Sequence, residues 1–176
     1  MKKNKYRIII SFTFLVCLVL ALYHANIFPV VRIQESTFFV KDADYNLQKG
    51  DIVNPLQNLD LSSDVEIYLH ISKSDLEELP VKIPDHKILY TNNDELIRKL
   101  VEDFNCIYTN GDMATCESLF CVFIEGELVY KTNIVINDDF VGLQNSALGW
   151  VEMCNSSELV NIFEKFIPVY RPIISL

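Results

Sequence analysis

Apolar and polar positions change their period several times along the chain, and each change predicts an element. From Ile8 to Tyr23 the residues are apolar except for Ser11 and Thr13, and counting on through Ala25, Ile27 and Phe28 gives 21 positions. At about 1.5 Å per residue such a helix spans a hydrocarbon core of about 30 Å. Further on, "DVEIYLHI" alternates with period two: Val65, Ile67, Leu69 and Ile71 share one face and Glu66, Tyr68 and His70 the other. That is a strand with one core face and one face that is wet or an interface. "SKSDLEELP" reads as a short helix capped by Ser72 or Ser74 and stopped at Pro80, and "HKILYT" as a second strand.

A helical period then sets in. "NNDELIRKLVEDF" places Leu96, Ile97, Leu100, Val101 and Phe104 on one stripe, behind a cap at Asn92 or Asn93 and the acidic first turn Asp94-Glu95. "LFCVFIEGELVYKTNIVI" holds two β-rich runs around Glu125-Gly126, a tight hairpin whose first run is apolar enough for a central strand. "DDFVGLQNSALGW" reads as a loop leading to Trp150. "NSSELVNIFEKFI" reads as an amphipathic helix with Asn155 and Glu158 at capping-box spacing and Leu159, Ile162, Phe163 and Phe166 facing the sheet. The apolar tail "PVYRPIISL" is a last edge strand or a strand offered to a partner.

This order predicts an α+β fold: an N-terminal transmembrane helix followed by one disulfide-bridged extracytoplasmic domain, with a mixed or antiparallel sheet and two to three packed helices. The expected divisions are a basic cytoplasmic N-terminus (1–7), a transmembrane signal anchor (8–28), a stalk and edge segment (29–61) and the α+β domain proper (62–176). The closing hairpin and helix resemble the end of a thioredoxin-like fold over about the last third of the chain, without that family's C-x-x-C motif. The resemblance implies an alternative topology and, as an alternative function, a thiol oxidoreductase.

Charge sharpens the picture. Lys2, Lys3, Lys5, Arg7 and Arg32 precede the first acidic residue, Glu35, so residues 33–176 carry 10 basic and 24 acidic side chains, a net charge of −14. The basic start predicts an N-terminus inside the cytoplasm and the rest outside. The apolar run offers only poorly placed cleavage sites, so an uncleaved anchor in a bacterial inner membrane, with a periplasmic domain, is expected. An acidic domain repels nucleic acid and suits a basic protein, a cationic peptide or a metal ion.

In an oxidising compartment Cys106, Cys116, Cys121 and Cys154 form an even set for two disulfides, with three connectivities open. A hairpin about Asn110-Gly111 favours Cys106 with Cys116, leaving Cys121 with Cys154. The spacing suits neither a zinc site nor a redox pair. "DADYN" from Asp42 starts like a calcium loop, but Leu47 and Val53 replace its glycine and closing glutamate. His70 and His86 read as solvated histidines, and Asp138-Asp139 and the Glu125/Glu127 pair as solubilising turn residues. Motifs of hydrolases, metalloproteases and phosphate loops are absent.

The reading that follows is non-enzymatic, with no cofactor and no metal. The chain is expected to be a membrane-anchored periplasmic interaction protein that binds and modulates an envelope or inner-membrane partner, as an accessory to a membrane regulator or assembly system. An acidic immunity or inhibitor protein against a basic toxin or hydrolase is the second reading. Candidate interface residues are Glu66, Tyr68 and His70 on the strand face, and Tyr170, Ile173 and Ile174 in the tail.

Overall fold

The computed structural model describes residues 2–24, 31–33, 47–111, 116–145, 148–169 and 173–175, with side chains described over 6–22, 47–111, 116–144 and 148–169. In chain order the elements are α1 (Lys2–His24), β1 (Val31–Ile33), β2 (Ile52–Val53), β3 (Val65–His70), α2 (Lys73–Leu76), β4 (Ile88–Thr91), α3 (Asp94–Asp103), β5 (Cys106–Tyr108), β6 (Leu119–Ile124), β7 (Glu127–Ile136), β8 (Val141–Asn145), β9 (Gly149–Met153), α4 (Ser156–Phe163), β10 (Ile167–Pro168) and β11 (Ile173–Ser175). They fall into two compact units, Ser36–Val169 and a second made of Met1–Glu35 with Tyr170–Leu176.

The larger unit is built on a nine-stranded sheet of order β10-β4-β3-β6-β7-β8-β9-β5-β2, antiparallel at every pairing. Period-two patterning sets its faces. Val65, Ile67, Leu69, Leu89, Phe120, Val122, Ile134, Leu143 and Val151 point to one side, where α3 and α4 supply Leu96, Ile97, Leu100, Val101, Leu159, Ile162 and Phe163. Burying one such side chain stabilises the fold by about 1.5–3 kcal/mol, so this layer is the dominant source of stability. Phe104, just past α3, stacks on Phe120 at 5.0 Å between centroids, which locks helix to sheet.

Local signals explain the ends of the elements. Ser72 accepts from the Asp75 backbone N–H at 3.1 Å and starts α2. Asn93 accepts from the Leu96 N–H at 2.9 Å and starts α3. Between β6 and β7, Glu125 and Gly126 both take positive φ (53° and 80°), the left-handed pair that a two-residue hairpin turn needs. A register shift between Val122 and Phe123 forms a bulge in that hairpin.

The structure differs from several expectations. The expected capping box of α4 is not formed: Asn155 makes no side-chain cap bond, Ser157 donates to its Oδ1 at 3.1 Å, and Glu158 pairs instead with Lys99 of α3. Asn93→Ala should therefore cost about 1 kcal/mol, whereas Asn155→Ala should cost far less; urea unfolding midpoints of the two variants measure the difference. The stretch read as a loop before Trp150 is the β8–β9 hairpin, because Val141 and Leu143 alternate with Gly142 and Gln144 and the strand they form pairs with β7 on one side and β9 on the other. The expected hairpin about Asn110-Gly111 is not described, since 112–115 lie outside the described residues. Asn110 does take positive φ (55°), but β5 pairs with β9 and β2.

That pairing overturns the disulfides. None of the five cysteines forms a disulfide. Cys106 on β5 and Cys121 on β6 are separated by β7, β8 and β9, about 19 Å at the usual strand spacing, whereas a disulfide needs Cα atoms within about 7 Å. Cys154 follows β9, still three strands from Cys121. Cys116 sits by β7 and β8, its carbonyl accepting from Asn133 Nδ2 at 2.6 Å, rather than beside Cys106. The antiparallel pairings also give none of the parallel strand pairs of a thioredoxin-like topology.

The smaller unit holds α1 and a two-stranded parallel sheet, with Val31–Ile33 registered against Ile173–Ser175. The side chains of Ile8, Phe12, Phe14 and Leu20 are exposed. Among the described residues no helix is long and apolar enough to cross a membrane, which overturns the transmembrane anchor and the inner-membrane placement drawn from it. Within α1, Arg7, Ser11 and Thr13 interrupt the apolar run, and residues 25–28 of the expected anchor lie outside the described residues. Residues 34–46 of the expected stalk, and Tyr170, lie outside the described residues.

Candidate interaction surface on the sheet

The face of the sheet opposite α3 and α4 carries the strand residues predicted as an interface. The structure brings Glu66, Tyr68 and His70 together on β3 but leaves them unequally accessible. Tyr68 and His70 are buried, at 9% and 8% exposure, and Glu66 is half-buried. Along β3 this face is therefore open at Glu66 and closed at Tyr68 and His70. Ile173 and Ile174 lie in β11 of the smaller unit.

Register supplies neighbours that alternation along one strand does not reveal. Tyr90 of β4 lies opposite Tyr68, and Phe123 of β6 opposite Glu66. Tyr68 sits 4.8 Å from Tyr90 in a tilted arrangement and 5.6 Å from Phe123 edge-on, measured between centroids. The Tyr90 hydroxyl donates to Glu66 Oε1 at 2.8 Å. Partial burial, reinforced by the hydrogen bond to Glu66 and by its charge, pushes the Tyr90 hydroxyl well above its ordinary value, so it remains a neutral donor. Alternation within "ILYT", which puts Ile88 and Tyr90 together, was the available signal. Only strand pairing could bring Tyr90 beside Tyr68.

The same end of the sheet is acidic. Asp64 and Glu66 open β3, Glu125 and Glu127 flank the β6–β7 turn, and Asp94 and Glu95 begin α3 just after β4. The Glu125 N–H donates to the Asp64 carbonyl at 2.8 Å, which fixes the turn against the start of β3. Segments 60–67, 91–95 and 124–128 contain no Lys or Arg. Asp60, a few residues before β3, is held below the usual carboxylate range by the Ser62 hydroxyl and then by the Ser62 N–H. The opposite end mixes Lys73, Lys82 and Lys87 with Asp75, Glu77 and Asp85.

Other chemistry is weaker. Among the described residues no group of three or more His, Cys, Asp or Glu converges closely enough to hold a metal ion. Both expected solvated histidines are buried: His70 lies within the sheet, and His86 hydrogen-bonds the Ile88 carbonyl through Nδ1 at 3.0 Å. A cleft of about 450 Å³ lies among the Pro80–Lys82 loop, the Asn137–Asp139 turn and the first turn of α4. Several of its polar groups are engaged within the chain. Lys82 donates to Asn161, Ser156 accepts from the Val141 N–H, and Asn137 accepts from the N–H groups of Asp139 and Phe140.

Neither the Cys106 nor the Cys116 thiol is activated. Burial, and then the nearby Cys154, push the Cys106 thiol up to about 12, and burial also raises Cys116. Both shifts run opposite to what a nucleophilic thiolate needs. In the folded protein at pH 8 Cys154, which is exposed, should react with a thiol reagent, while Cys106 and Cys121 should react only after unfolding; mass mapping of labelled peptides reads the order directly.

No protein-family model matches this chain, and the searches of curated proteins and of solved structures find no match either.

Proposed function

We propose that this chain is a binding protein without catalytic chemistry of its own, and that it engages a basic protein through the acidic end of its sheet. The observation that carries the reading is the gathering of Asp64, Glu66, Asp94, Glu95, Glu125 and Glu127 around one sheet end, in segments with no Lys or Arg. Carboxylates spread over such a surface, and not converging on a point, favour an extended cationic partner over a single metal ion. Complementary charge raises association rates and suppresses wrong partners more than it adds raw affinity. Where the basic partner is a toxin or a hydrolase, binding of this kind is inhibition.

The test is the association rate with a small cationic test protein, measured by stopped flow over a range of salt. Electrostatic steering predicts a rate that falls about tenfold or more between low and physiological ionic strength. An equally basic and an equally acidic test protein associating at the same rate would end this reading.

A further inference from the structure

The sheet face beside the acidic end has a more specific composition than charge alone requires. Tyr90 and Phe123 are half-exposed and Tyr68 lies between them, buried, with its ring close to both. Glu66 stands in the same cluster. One of its carboxylate oxygens is taken by Tyr90; among the described residues, Oε2 makes no hydrogen bond. On the next strand Ile167 extends the apolar surface, 57% exposed.

We propose that this face, Glu66 with Tyr90 and Phe123, is an arginine-binding subsite for the basic partner. The proposal rests on the basic-partner reading above and adds the side chain recognised. Charge complementarity commits the occupant to a cation. The aromatic composition selects between cations. A guanidinium is planar and weakly hydrated, stacks on aromatic rings and donates in a fork to a carboxylate. An ammonium is a strongly hydrated point charge that gains less from the rings. Tyr90 holds the Glu66 carboxylate through Oε1 and leaves Oε2 as an acceptor for an incoming donor. The acidic neighbours Asp64, Glu125 and Glu127 serve the rest of a basic segment.

The experiment uses the full chain, an arginine-rich synthetic peptide and its lysine counterpart of equal length and charge, with affinities from titration calorimetry. The arginine peptide should bind about tenfold more tightly than the lysine peptide. Phe123→Leu keeps charge and apolar bulk, and should remove most of that preference with little change for lysine. Glu66→Gln should weaken arginine more than lysine. Circular dichroism and the unfolding midpoint establish that both variants remain folded. Equal affinity for the two peptides in the wild type overturns the arginine subsite and leaves the basic-partner reading standing. An arginine preference that survives both substitutions places the subsite elsewhere and overturns this assignment. Failure to bind either peptide overturns both readings.

Discussion

Phe120→Ala should lower the unfolding free energy by about 3–5 kcal/mol, much of the total stability of an ordinary domain. Phe120 is fully buried near the start of β6, stacked on Phe104 and edge-on to Tyr130 at 6.2 Å. It therefore joins the chain beyond α3 to the β6–β7 hairpin, and its removal leaves a cavity where helix layer and sheet meet. Urea unfolding should show a lower midpoint with an unchanged slope. Val81→Ala, at a fully exposed position, should stay within about 0.5 kcal/mol of wild type. A Phe120→Ala loss as small as that of Val81→Ala would mean that the helix layer does not pack on β6 as described.

Gly142→Ala should cost about 1–3 kcal/mol, although alanine normally suits a strand better than glycine. Gly142 lies in β8 opposite Val135 and Glu152, and the Trp150 ring covers it from β9. A Cβ added there would stand 2.5 Å from Trp150 Cη2 and 2.6 Å from Cζ2. Those atoms belong to a ring that packs edge-on against Phe140 at 6.1 Å and whose Nε1 donates to Glu152 at 3.2 Å, so it has little room to move. In a Trp150→Leu background the same glycine substitution should become nearly neutral. A double-mutant cycle by urea unfolding measures this coupling. Additive costs would show that the ring does not set the requirement for glycine.

Much of the sheet is legible in the order of residues alone. β3, β4, the β6–β7 hairpin and α3 follow from alternation, a helical stripe, the cap at Asn93 and the turn at Glu125-Gly126. The failed disulfides have their origin in strand order. The expected disulfides depended on a hairpin at Asn110-Gly111 that placed Cys106 beside Cys116 and left Cys121 for Cys154, and β5 instead crosses to the far side of the sheet to pair with β9. The β8–β9 hairpin was hidden by Gly142, whose lack of a side chain weakens the period-two pattern and whose role depends on Trp150.

The candidate surface divides in the same way. Glu66 and Tyr68 are legible as one strand face, but the burial of Tyr68 and His70 is not, since it depends on what neighbouring segments contribute. Tyr90 and Phe123 enter the site only through register with β3. The acidic end was visible as composition alone. Its concentration around the start of β3, the β6–β7 turn and the start of α3 needs the fold.

The most direct test of a basic partner at this end of the sheet compares two neutralised variants of the full chain. One carries Asp64→Asn, Glu125→Gln and Glu127→Gln; the other carries Asp138→Asn, Asp139→Asn and Glu164→Gln, which removes the same charge elsewhere. Titration of each with a single cationic test protein at physiological salt should show a loss of about tenfold or more for the first variant and little for the second. Equal losses in the two would show that net charge, and not this surface, governs binding, and would contradict the account.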